Sequence, residues 1–159
     1  MQNVNWTAAI KAGLIAGLIF MMLEMLLVAT IGGGSPWAPP RMIGAMILGD
    51  GVLPPPADFD PTVFVVAMVI HFALSILLAL LFALIADALR LSTTVAAVAG
   101  LLFGLAVYVV NFYGMTSLFP WFAMARNGIS VFAHGIFGLV LGYSYRKLAP
   151  LVVARSEPM

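Results

Sequence analysis

Residues Thr62–Ala86 read TVFVVAMVIHFALSILLALLFALIA, a run with no Asp, Glu, Lys or Arg and with His71 as its one imidazole. A helix needs about 20 apolar residues to cross the ~30 Å hydrocarbon core of a bilayer, and this run is longer than that. Its start is marked by Asp60, placed to cap, and by Pro61 at the first helical position, where a missing N–H costs nothing. Working outward, three more runs share its character: about Thr7–Ile31, Thr94–Leu118 and, less apolar, Ala123–Tyr145. Ser92 is placed to cap the third. The first run is read as a retained span and not a leader. It has Lys11 alone as a basic flank, exceeds the length of a leader's apolar region, and is interrupted by Glu24. The expectation is an all-α, integral membrane four-helix bundle formed by a single domain, residues 1–159, with spans near 7–31, 62–86, 94–118 and 123–145.

Composition points the same way. Of 159 residues, 64% are hydrophobic and 8% charged, against about a quarter charged in a soluble domain, so the chain lacks the polar surface to coat a water-soluble globule. A formal net charge of +1 gives no basis for nucleic-acid binding. Without cysteine, disulfides, thiolate metal sites and thiol catalysis are excluded. No Gly-rich phosphate loop, Ser/His/Asp set or HExxH zinc motif is present, which gives no footing to an enzyme.

Basic residues set the expected orientation. Lys11, Arg90, Arg146, Lys147 and Arg155 lie near the termini or between spans two and three. Only Arg41 and Arg126 lie in the other loops, with Asp50, Asp58 and Asp60. The positive-inside rule then puts both termini in the cytoplasm. Trp6, Trp37, Trp121 and Tyr145 fall near span ends, where amphipathic rings settle at the interface.

Residues 32–60 form a Pro/Gly-rich outer cap. Gly32–Pro40 is expected to be irregular, Arg41–Leu48 a short interfacial helix, Asp50-Gly51 a turn and Pro54–Pro56 extended polyproline. Met42, Ile43, Met46, Ile47 and Leu48 are too apolar to float free, so the segment should cover the bundle. The chain also has the pattern of two parallel hairpin repeats, 1–90 and 91–159. Gly13, Gly17 and Glu24 match Gly100, Gly104 and Asn111 in spacing, and His71, Ser75 and Ala79 match His134, Gly138 and Gly142.

Glu24, His71, Asn111 and His134 are the polar residues deep in the spans. At 1.5 Å per residue all four fall in one layer of the outer half, roughly 10–14 Å from the span ends. Intramembrane ionisable residues are rare and mark functional candidates. Four readings stand side by side. The residues form a hydrogen-bonded network that fixes the bundle's register. Alternatively, His71 and His134 ligate haem b, with Asn111, Arg41 and Arg126 around it; the arrangement resembles four-helix b-type membrane cytochromes, and that resemblance implies that Gly17 and Gly104 admit the porphyrin. As a third reading, Glu24, His71 and His134 bind a transition-metal ion. The fourth is passage of protons or a small solute. The corresponding functions are an electron-transfer subunit, a cofactor-free accessory or assembly subunit, and a carrier. Partners beyond the lipid bilayer would be a larger membrane complex or further copies of the chain.

Gly34-Ser35-Pro36-Trp37-Ala38-Pro39-Pro40-Arg41-Met42-Ile43, with Gly51–Pro56 and Phe59-Asp60-Pro61, resembles a group of small uncharacterised bacterial inner-membrane proteins. Some members carry the label sodium:proline symporter, which four short spans without a broken helix do not support. The resemblance implies a bacterial inner (cytoplasmic) membrane and no activity. The pairing of glycines on spans one and three with histidines on two and four is similar to four-helix b-type membrane cytochromes.

Overall fold

A computed structural model describes residues 4–151, and Arg155 lies outside them. Among the described residues the chain is helical without strands. In order these are α1 (Trp6–Thr30), α2 (Ala38–Leu48), α3 (Pro61–Ala88), α4 (Thr93–Val109) and α5 (Gly128–Leu148), with short 3-10 turns between. Four helical segments are long and apolar enough to cross a membrane: α1, α3, α4 with its extension to Ser117, and α5.

Local chemistry sets the ends. Asn5 caps α1 through Ala8 N at 2.9 Å. Asp60 caps α3 through Thr62 and Val63 N at 2.8 and 3.0 Å, and Ser92 caps α4 through Val95 N. Each side chain satisfies N–H groups that a first helical turn leaves unpaired.

The sequence reading shifts in several places. The fourth span starts at Gly128 instead of Ala123, because Asn127 accepts from Ser130 N at 3.0 Å and caps there, while Pro120–Ala125 is a separate 3-10 turn. The third span stops being a regular α-helix at Val109 and continues through a π turn at Val110–Gly114 and a 3-10 turn at Met115–Ser117. The cap helix α2 starts at Ala38, not Arg41, and includes Pro39 and Pro40. Proline is tolerated there because first-turn N–H groups have no intrahelical acceptor. Pro54–Pro56 bends instead of running straight. Tyr145, expected at the interface, is 1% exposed.

Around the bundle the order is α3, α1, α5, α4, with little contact between α3 and α4. Side-chain size sorts inside from outside. The buried faces carry Ala9, Ala12, Ala16, Ala67, Ala83 and Ala96 at 0% exposure, whereas Leu18, Met22, Leu26, Val69 and Leu77 face outward. Lipid tails are as apolar as leucine, so helices associate in a membrane through close packing of small residues.

At the end away from α2 the interior is solid. Ala8, Ala12, Ala16, Ala83 and Ala86 pack with Phe82, Leu141 and Tyr145. A polar clamp closes that end: Arg146 meets Asp87 at 2.5 Å, Tyr145 donates to Asp87 at 2.5 Å, and Arg146 also donates to the Ala86 carbonyl. Asp87 therefore pairs with α5 and not with Arg90, which sits in a left-handed conformation at φ 48° just beyond α3. Under α2 the bundle is hollow.

Candidate functional site

Small residues bring the polar layer together. A Cβ at Gly17 would stand 2.7 Å from Ser75 Oγ and 3.3 Å from His71 Nε2, so α1 and α3 meet just below the histidine. On the other side a Cβ at Gly104 would collide with the His134 carbonyl oxygen, and one at Gly138 with that of Gly100. Here α4 and α5 lie backbone to backbone.

Above these contacts Glu24, His71 and His134 are buried, at 6%, 7% and 4% exposure. His71 Nε2 lies 2.9 Å from the Gly17 carbonyl, which only accepts, so Nε2 carries the proton and donates. His134 Nδ1 donates to the Ser130 carbonyl at 2.8 Å. Its Nε2 then accepts from Asn111 Nδ2 at 3.3 Å. Asn111 stands on the π turn, a feature frequent at functional sites.

Glu24 behaves differently from its sequence expectation. It meets neither histidine. Ser130 Oγ, from α5, donates to Glu24 Oε1 at 2.7 Å, and Glu24 Oε2 is buried without a hydrogen-bond partner among the described residues. Phe20 packs against both imidazoles. Its ring stacks on His71 with centroids 5.5 Å apart and meets His134 edge-on at 4.7 Å. Phe20 and Ser130 are the residues that sequence reasoning missed. A phenylalanine in an apolar span carries no signal of its own. Ser130 had one, a hydroxyl residue four positions before His134 and so on the same helical face.

Two cavities adjoin this layer. One, of about 270 Å³, lies under α2 and is lined by Phe20, Val28, Met42, Phe112 and Phe122, with Glu24, Asn127 and Ser130 as its polar residues. The other, of about 100 Å³, is lined by Leu74, Val107 and Met115 together with His71, Asn111 and His134. Phe20, Ile43, Phe112 and Phe122 line both.

Arg41 and Arg126 brace the roof instead of reaching the layer. Arg41 donates to the carbonyls of Asp58 and Val52 at 2.8 and 2.9 Å. Arg126 donates to the Phe112 carbonyl at 2.6 Å and to Thr116 Oγ1 at 3.0 Å, and lies over the Tyr113 ring. Trp121 Nε1 donates to the Met42 carbonyl at 3.0 Å and fastens α2 to the loop before α5. On its other side α2 rests on α3, where a Cβ at Gly44 would stand 2.9 Å from Val63 Cγ1.

The residues present do not fit a haem. Iron takes a lone pair from each imidazole; here that of His134, on Nε2, accepts from Asn111, and that of His71 is left on Nδ1, since its Nε2 donates to the Gly17 carbonyl. Phe20 packs against both rings. Gly17 and Gly104, expected to admit a porphyrin, are filled by α3 and α5. Among the described residues no three His, Cys, Asp or Glu side chains are grouped to share a metal ion, so Glu24, His71 and His134 do not form an assembled ligand set. What the arrangement offers is an apolar chamber with a few fixed polar groups. Comparison with family models, curated proteins and solved structures gives no match.

Proposed function

We propose that the chain is a membrane-embedded binding protein for a small, mostly apolar solute, which occupies the chambers beneath α2. The observation that carries this reading is the cavity of about 270 Å³ beside a second of about 100 Å³, with Phe, Met and aliphatic walls and a few convergent polar groups. Ligand sites have this make-up. An apolar cavity of about 150 Å³ already suffices for benzene. Binding of this kind is the first requirement of a carrier, the fourth of the readings that the polar layer allows.

In this proposal the protein sits in a bacterial inner membrane with its termini cytoplasmic and α2 on the outer side, as the distribution of Lys and Arg favours. The two helix pairs descend from one duplicated hairpin. Supporting this, Gly13 and Gly17 face Ala79, Ser75 and His71 as Gly100 and Gly104 face Gly142, Gly138 and His134. The pairs have since diverged, for α1 packs on α5 far more than α3 packs on α4.

The test is ligand-dependent melting of the protein in an uncharged detergent. Isobutylbenzene should raise the melting temperature saturably, since a ligand that binds only the folded state stabilises it. Val28→Phe, which fills the larger cavity, should remove the effect. If neither isobutylbenzene nor the charged probe described next produces a saturable shift, the binding reading fails and a cofactor-free structural or accessory role replaces it.

A further inference from the structure

We infer that the larger cavity is a site for a lipophilic organic monocation, a protonated amine on an apolar body, held by the Glu24 carboxylate and the surrounding phenyl rings. This rests on the binding reading above and names its ligand class.

Three observations converge. First, Glu24 lines the cavity at 6% exposure with Oε2 lacking a hydrogen-bond partner among the described residues; the other such buried side-chain atom, Arg146 Nε, belongs to a guanidinium already paired with Asp87. Buried polar groups are nearly always satisfied, and an orphan in a native fold calls for an explanation. Second, no cation reaches Glu24. Among the described residues the ion pair is Asp87–Arg146, at the far end of the bundle, and Arg126, which braces the roof, donates to Phe112 and Thr116. A carboxylate in an apolar wall is costly until a cation or donor joins it. Ser130 supplies one neutral donor, to Oε1 alone.

Third, the rest of the wall suits the apolar body of such a cation and not a metal ion. Phe20, Phe112 and Phe122 present aromatic surface, and ring faces attract cations, more strongly where water is excluded. A hydrated inorganic ion would need several oxygen ligands. Glu24 offers one carboxylate, and among the described residues it belongs to no group of three His, Cys, Asp or Glu side chains that could hold a metal. An N–H of a protonated amine would satisfy Oε2 while its hydrocarbon fills the chamber. A neutral molecule of the same shape would fill the chamber and leave the carboxylate unpaired.

The experiment compares two isosteres on the full-length protein in an uncharged detergent. Benzyldimethylammonium has one positive charge and one N–H donor, and isobutylbenzene replaces that nitrogen by carbon. Calorimetric titration should give the cation an affinity higher by about tenfold or more, the range of a desolvated charge pair. In Glu24→Gln, which keeps an oxygen for the Ser130 hydroxyl, the ratio of the two affinities should fall toward one. Equal or tighter binding of isobutylbenzene to the unaltered protein overturns the cation assignment and leaves the binding reading standing. A preference for the cation that survives Glu24→Gln overturns the role of Glu24. Binding of neither probe overturns both proposals. The comparison of isosteres on the unaltered protein needs no variant to fold.

Discussion

The two ends of the bundle are built on opposite principles. Away from α2, alanines at or near 0% exposure let the helices close on one another, and Asp87, Tyr145 and Arg146 lock α3 to α5. Beneath α2 the rings of Phe20, Phe112 and Phe122 border chambers of about 270 and 100 Å³ that helix contact does not fill. In the solid half small side chains let backbones approach, and Phe82, Leu141 and Tyr145 fill the space that remains. In the hollow half the rings border space that they do not fill. Among the described residues each end keeps one buried polar atom without a hydrogen-bond partner, Arg146 Nε at the solid end and Glu24 Oε2 at the hollow one, but only the solid end has an ion pair.

The largest expected break in this contrast is Asp87→Ala. It leaves the Arg146 guanidinium, on a side chain 2% exposed, without its counter-ion, and removing one partner of a buried pair costs about 3–5 kcal/mol. Thermal unfolding in detergent should show the loss, with probe binding at the other end intact for the protein that remains folded. A melting temperature within a degree of the parent would mean that the clamp does not hold the solid half.

A matched pair sharpens the comparison. Ala12→Leu forces three more heavy atoms into a position of 0% exposure and should cost about 1–3 kcal/mol by overpacking. Val28→Phe also adds bulk, but into the larger cavity, and should change stability by less than about 0.5 kcal/mol, as substitutions that meet no packed neighbour do. Equal losses in chemical denaturation would show that the hollow half is as tightly packed as the solid one.

The smallest effect belongs to the fastening of the roof. Trp121→Phe removes the hydrogen bond to the Met42 carbonyl and should cost about 1 kcal/mol. Its signature is local: amide exchange should quicken in α2 and stay unchanged in α1 and α5. Uniform quickening across all helices would mean that α2 is not a separately held cap.

Much of the fold was legible because hydrocarbon length and hydropathy are properties of a run of residues, not of its neighbours. Asp60-Pro61 and Ser92 mark helix starts through local backbone chemistry. The fourth span was misjudged by five residues because Pro120–Ala125 is apolar enough to pass for a span start, while the cap that decides the boundary is Asn127. The π turn at Asn111 had no sequence mark, since its extra residue is accommodated by Arg126 donating to Phe112 from a different loop.

For the candidate site, the sequence by itself determined which residues are costly in a membrane: Glu24, His71, Asn111 and His134 stand out because polar groups among apolar neighbours need a partner. It also determined that Gly17 and Gly104 would sit at close approaches, through their spacing on one helical face. Only the tertiary structure decided which partners these groups took. Asn111 reached His134, but Phe20 packed against both imidazoles and Glu24 bonded to Ser130 on α5, leaving a carboxylate oxygen unpaired. The reason is physical: a residue's cost of burial depends on its own chemistry, whereas its partner depends on which helices become neighbours and on how far apart their bulkiest side chains hold them.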